Sequence, residues 1–157
     1  MKKLISALTV LCIFVLSLTA CSTPEDEVID SLGEYNDYEC YSEGVFQDHT
    51  TYGKYYFDSI DLTDNKYFSQ IQDEDIDTVN KIIDDFKGWV QAIKENNDSQ
   101  ELVVNYDFTK STIDKDDYFY LETDTYNGTD GEEVLASYDL YFIDVQTNIL
   151  YYFHNNI

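Results

Sequence analysis

The chain has 157 residues, with 32 acidic side chains against 9 Lys and no Arg, for a formal net charge of −23. A strongly negative field without the planar guanidinium that clamps phosphate makes the chain a poor candidate for nucleic acid, anionic lipid headgroups or phosphoryl transfer. The length suits one domain with its own core and is too short for two.

The first element is a leader. Lys2 and Lys3 precede a run over residues 4–18 that is apolar apart from Ser6, Thr9 and Ser17, and Leu18, Thr19, Ala20 and Cys21 follow. A basic start, an apolar stretch and small residues at the cut define a secretory signal peptide. The run falls short of the roughly 20 residues that a stable membrane span requires. Leu18-Thr19-Ala20-Cys21 resembles the lipobox of bacterial lipoproteins. That resemblance implies a diacylglyceryl group on the Cys21 thiol and removal of residues 1–20, with the mature chain on the extracytoplasmic face of the cell membrane. Two acyl chains, at about 0.8 kcal/mol per buried CH₂, hold firmly where one holds marginally. Cys12 leaves with the leader and Cys21 is lipidated, so Cys40 has no partner for an internal disulfide.

Residues 21–45 read as an acidic tether. Ser22 and Thr23, the chain's one proline at Pro24 and the acidic run Glu25, Asp26, Glu27 make a polar start. Val28, Ile29 and Leu32 suit one short helical turn, and Tyr35, Tyr38 and Tyr41 are scattered among acids. The folded domain is expected over residues 46–157. From Asp48 to residue 60, Tyr52, Tyr55, Tyr56, Ser59 and Ile60 recur at spacings of three and four, which predicts a helix that Gly53 weakens. Tyr67, Phe68 and Ile71 suggest a short helical connector. Ile76, Val79, Ile83, Phe86, Val90 and Ile93 then step by three and four, with Ile82 and Trp89 widening the stripe. This predicts a helix from about residue 75 to residue 95, ended by Asn96-Asn97-Asp98-Ser99.

After Ser99 the period falls to two. Leu102, Val104, Tyr106 and Phe108 alternate with Val103, Asn105 and Asp107, Tyr118, Tyr120 and Glu122 alternate with Phe119 and Leu121, and residues 127–131 form a turn cluster. Two further strands, over residues 134–144 and 149–154, flank Val145-Gln146-Thr147-Asn148. If Asp144 pairs with Ile149, Phe142 faces Tyr151 and Leu140 faces Phe153. Tyr141 then faces Tyr152 and Asp139 faces His154 on the other side. The expected fold class is α+β, with two or three N-terminal helices packed on a four-stranded antiparallel meander. That order of elements resembles cystatin-like or β-lactamase-inhibitor-like domains, a likeness of topology that implies no shared function. Asp117-Tyr118-Phe119-Tyr120, Tyr141-Phe142, Asp144, Thr147-Asn148 and Leu150-Tyr151-Tyr152 resemble small lipoproteins of low-GC Gram-positive bacteria, a resemblance that lends no activity.

Chemistry-bearing motifs are few. Asp73, Asp75, Asp77 and Asp84 fall on calcium-loop positions, but Thr78 stands where the loop needs Gly and the helical stripe runs through them. Asp114, Asp116 and Asp117, or Asp124 with Asp130, read more simply as solvated acidic turns. His49, His154 and Cys40 lack zinc-ligand spacing, and no nucleophile elbow, phosphate loop or catalytic triad is visible. No cofactor is implied. The expected activity is therefore binding, through the membrane anchor at Cys21 and a partner surface of Tyr118, Tyr120, Tyr141 and Tyr152 suited to an envelope protein or glycan. The alternative is an extracellular hydrolase with paired carboxylates, one of them raised in pKa by burial.

Overall fold

The C-terminal hairpin forms the middle of the sheet. The computed structural model describes residues 26–45, 48–96, 101–127 and 133–156. In chain order the elements are α1 (Glu27–Asp30), β1 (Asp37–Val45), β2 (Asp48–Tyr56), β3 (Ser69–Gln70), α2 (Ile76–Glu95), α3 (Glu101–Asn105), a 3₁₀ turn (Lys110–Thr112), β4 (Tyr118–Asn127), β5 (Glu133–Asp144) and β6 (Ile149–Asn156). The leader, Cys21, Phe46, residues 97–99 of the expected helix end and residues 128–131 of the turn cluster lie outside the described residues. Among those described, no helix is long and apolar enough to cross a membrane.

The six strands are antiparallel in the order β1-β2-β6-β5-β4-β3. The β5–β6 register is the one read from the sequence, with Asp144 opposite Ile149, Phe142 opposite Tyr151 and Leu140 opposite Phe153. An Asx turn sets it: Asp144 Oδ1 accepts from the amides of Gln146 at 2.9 Å and Thr147 at 3.2 Å, and Asn148 takes the left-handed conformation with φ 53°. The long helix falls where its stripe predicts and buries Val79, Ile82, Ile83, Phe86 and Val90 against one sheet face. Trp89 lies at the margin of that stripe, half-buried, with its indole N–H donating to Asp85 at 3.2 Å; it is not the shielded core residue expected.

The expected architecture is overturned. A six-stranded sheet with one long helix stands in place of two or three N-terminal helices on a four-stranded meander. The predicted helix over residues 48–60 is β2, an interior strand buried on both faces. Tyr52 belongs to the core under α2 and Tyr55 to the core on the opposite face, so a tyrosine spacing of three satisfies strand alternation as well as a helix. Gly53 fits a close approach there. A Cβ would lie 3.2 Å from the Tyr55 ring and 3.4 Å from Tyr152 Cβ. Conversely, the expected strand around Leu102 is helix α3, with Leu102 buried and Val104 72% exposed. Leu102 and Tyr106 are also four apart, and the Tyr106 amide donates to the Leu102 carbonyl at 2.9 Å.

The tether is also corrected, because most of residues 21–45 belong to the fold. Asp26 caps α1, its Oδ1 accepting from Val28 at 2.9 Å and Ile29 at 3.3 Å, and Val28, Ile29 and Leu32 are buried. β1 pairs with β2 along its whole length. Its polar composition suits an edge strand, where charge discourages unwanted pairing. The sheet thus has two covered faces. The first carries Tyr52, Tyr138, Leu140, Phe142 and Phe153 beneath α2 and α3. The second carries Tyr55, Tyr141, Ile143 and Leu150 beneath α1 and residues 57–68.

Candidate functional site

A recurring contact explains why this chain combines many tyrosines with many acids. Buried and half-buried phenols end on carboxylates at the rim of the core: Tyr52 on Asp107 at 2.7 Å, Tyr138 on Asp85 at 3.1 Å, Tyr141 on Asp26 at 2.8 Å and the half-buried Tyr152 on Asp139 at 2.6 Å. Tyr56 and Tyr41 share Glu39 at 2.9 and 3.2 Å. Each pair satisfies a hydroxyl that burial would otherwise strand, and supplies a donor to an acid that has no Arg to meet. Burial, reinforced by the adjoining carboxylates, pushes the phenols of Tyr52, Tyr138, Tyr141 and Tyr152 upward in pKa. Lys54 supplies the one buried cation among the described residues, 3.0 Å from Glu39 and 3.1 Å from Asp107. Burial lowers its pKa, and the two carboxylates more than reverse that.

The four tyrosines of the expected partner surface do share one face, the second. Tyr120 packs on Tyr141 with tilted rings 5.9 Å apart between centroids, Tyr141 on Tyr152 in the same way at 4.9 Å, and Tyr118 stands opposite Ile143. They do not form an open aromatic plane. Tyr141 is buried, and Tyr118, Tyr120 and Tyr152 are half-buried beside α1 and residues 57–68. Tyr67 covers Tyr120, ring to ring at 5.3 Å.

Further along the same strands the second face turns polar. Glu122 stands opposite Asp139, Asp139 opposite His154, and His154 opposite Thr51. Asp139 Oδ1 lies 2.8 Å from His154 Nδ1 and also accepts the Tyr152 hydroxyl. The rings of His154 and His49 are 4.4 Å apart, and His154 Nε2 is buried without a hydrogen-bond partner. Burial raises the pKa of Asp139. The bonds from His154 and Tyr152, with the field of both imidazoles, outweigh it and hold the carboxyl below the usual range. Beside Asp139 an open recess of about 420 Å³ is lined by Glu122, Thr123, Asp124 and Ser137. Sequence alternation brings Asp139 and His154 together. It misses His49, because β2 reads as a helix.

The other sequence candidates are accounted for by local structure. Asp75 precedes α2 and accepts the Gln72 amide at 2.9 Å, so the calcium-loop spacing is part of a helix start. Asp117 is fully buried and accepts the amides of Asp114 at 2.8 Å and Val145 at 3.2 Å, tying the β4 approach to the β5–β6 turn. Burial pushes its pKa up to about 6, against the pull of those two amides. Cys40 stands opposite Gly53 while His49 stands opposite Gly44, about 13 Å further along the strands, which separates thiol from imidazole. Among the described residues no group of three or more His, Cys, Asp or Glu is placed to hold a metal ion.

No family model, curated protein or solved structure matches this chain.

Proposed function

We propose that this chain is an extracytoplasmic lipoprotein, anchored through Cys21, whose domain binds a cationic ligand at the polar end of the second sheet face. The observation that carries the binding half is the recess itself. Glu122, Asp124 and Asp139 converge on it, and Asp139 is held ionised by His154 and Tyr152. A fixed, partly desolvated carboxylate beside two more exposed ones attracts a positive group, and it is poorly suited to donate a proton. The hydrolase alternative needs a raised carboxyl and an accessible second acid in one place. Here those properties are separated: the raised acid is Asp117, whose carboxylate is occupied by two backbone amides, and Asp117 does not line this recess.

The anchoring half rests on the leader and on chain length. Five residue steps lead from Cys21 to Asp26, the cap of α1, and span at most about 18 Å whatever path they take. The domain would therefore work close to the membrane surface rather than at the end of a long tether. Cys21→Ala should move the chain from the membrane to the soluble fraction and remove the lipid mass; a variant that stays membrane-bound at unchanged mass refutes the anchor. For binding, the full chain should retain a linear polyamine in preference to a polycarboxylate. Glu122→Gln with Asp124→Asn should weaken polyamine retention more than neutralising two acids distant from the recess, and retention equal to the parent's refutes the recess as the site.

A further inference from the structure

The recess lies against an unfinished sheet edge. β3 pairs with β4 only at Ser69 opposite Phe119 and Gln70 opposite Tyr118. Before Ser69 the chain turns onto the second face, where Tyr67 and Phe68 pack on Tyr120. β4 runs on to Asn127, so from Leu121 it has no neighbouring strand on that side among the described residues. Backbone groups in a strand point alternately left and right. The Asp117 carbonyl accepts from the Ile71 amide on the β3 side, so Leu121 and Thr123 direct their N–H and C=O groups to the same open edge. The ladder then shifts at Asp124/Thr125, where an irregularity ends this stretch. At the opposite end of the sheet, by contrast, α3 lies against β1.

We propose that residues 121–124 are a docking strand, which an extended basic segment of another protein completes in line with β3. The side chains of the edge define that segment. Glu122 and Asp124 project onto the second face, where they and Asp139 line the recess. Leu121 projects onto the first face and packs on the core beneath α2. A strand laid beside them meets Glu122 and Asp124 on the second face and Leu121 and Thr123 on the first, and the matching sequence alternates Lys or Arg with an aliphatic or β-branched residue. Backbone hydrogen bonds supply affinity in such strand addition and the alternating side chains supply selectivity. In a chain of net charge −23 with no Arg, that basic strand has to come from a partner. This inference rests on the cationic-ligand reading of the recess and adds to it the form of the ligand.

The test uses the full-length chain in detergent and a short synthetic peptide alternating Lys and Val. The peptide should bind saturably, weaken with added salt, and slow hydrogen exchange at the amides of Leu121 and Thr123. N-methylating the alternate peptide amides that face β4 keeps every charge and removes the ladder. It should weaken binding about tenfold or more. Thr123→Pro, which removes an edge amide at an exposed position, should do the same, and the methylated peptide keeps the test decisive if that variant misfolds. Equal binding of methylated and unmethylated peptides overturns strand addition and leaves the cationic recess standing. Binding of a linear polyamine but not of the peptide does likewise. If neither binds, both readings fall.

Discussion

Two adjacent rungs of the central hairpin mark the boundary between the molecule's two kinds of surface. Leu140 and Phe153 face each other fully buried beneath α2. One residue along each strand, Asp139 and His154 face each other on the opposite side, with side-chain exposures of 28% and 14%. The first face is an apolar core in which the Tyr52 and Tyr138 hydroxyls are led out to Asp107 and Asp85 at its margin, while the Tyr106 hydroxyl is buried without a hydrogen-bond partner. The second face is apolar only under α1 and residues 57–68, and beyond Tyr141 and Tyr152 it becomes a network of acids and imidazoles. A sheet built to bury both faces needs no such network, so its charged side chains are the ones to examine for function.

The largest expected effect tests the covered half of the second face. A fragment of residues 46–157 lacks α1 and β1 and with them buried Val28, Ile29 and Leu32. Burial of such side chains contributes about 1.5–3 kcal/mol each. The loss of all three, about 4.5–9 kcal/mol, approaches the whole stability of a small domain. The fragment should show no cooperative urea transition, whereas the chain from residue 21 should show one. A fragment as stable as the longer chain would mean that the second face is optional.

Next comes a direct comparison of the two faces. Phe86 is fully buried among Tyr52, Tyr106 and Phe153. Phe86→Ala should cost about 3–5 kcal/mol in urea unfolding. Asp139→Asn disturbs the bonds from Tyr152 and His154 in a partly hydrated site and should cost about 1–2 kcal/mol. Comparable losses would make the polar end of the second face as structural as the core.

The pH dependence separates the acids of the sheet end from those at the rims. Asp117 has a pKa raised from 3.8 to about 6 in the fold. Between those values the folded state binds more protons than the unfolded one, so Asp117 makes stability fall as pH rises from about 4 to about 6. The shift corresponds to at most about 3 kcal/mol. Asp139, Asp107 and Glu39 are shifted the other way, Glu39 chiefly by Lys54 and the two aspartates by bonds that outweigh burial. Their contribution is present above their unfolded pKa values and disappears as pH falls through the depressed folded ones. Stability should therefore peak in mild acid and drop below about pH 4. Asp117→Asn should flatten the slope between pH 4 and 6 and leave the acid limb unchanged.

Much of the central structure is legible in the sequence because its signals are local and unambiguous. The stripe from Ile76 to Ile93 has only a helical reading, and the Asp144–Asn148 turn fixes a register that places Asp139 beside His154. The flanks are not legible, for a physical reason. β2 is buried on both sides, so its tyrosines carry no two-fold contrast, and β1 is an edge strand whose polar residues resemble a tether. His49 reaches the candidate site only through β2, and misreading that strand hides the imidazole pair. The recess depends on Glu122, Asp124 and Ser137 meeting across the β4–β5 ladder, a long-range pairing that periodicity does not specify.

The smallest predicted effect concerns the outer face of α2, where first-face packing ends. Gly88 sits exposed in the helix interior, and a Cβ built there meets nothing within 4 Å. Its backbone is helical, so Ala fits without strain and removes conformational freedom from the unfolded chain. Gly88→Ala should raise stability by about 1 kcal/mol in urea unfolding. Trp89, next in sequence, gives the matching control. It is half-buried, its indole N–H reaches the exposed Asp85, and it belongs to neither core cluster. Its truncation to Ala should cost clearly less than that of Phe86. If Gly88→Ala instead destabilises, the outer surface of α2 is packed against something, and the helix is no longer simply the lid of the first face. Loss of Trp89 costing as much as loss of Phe86 would carry the same meaning.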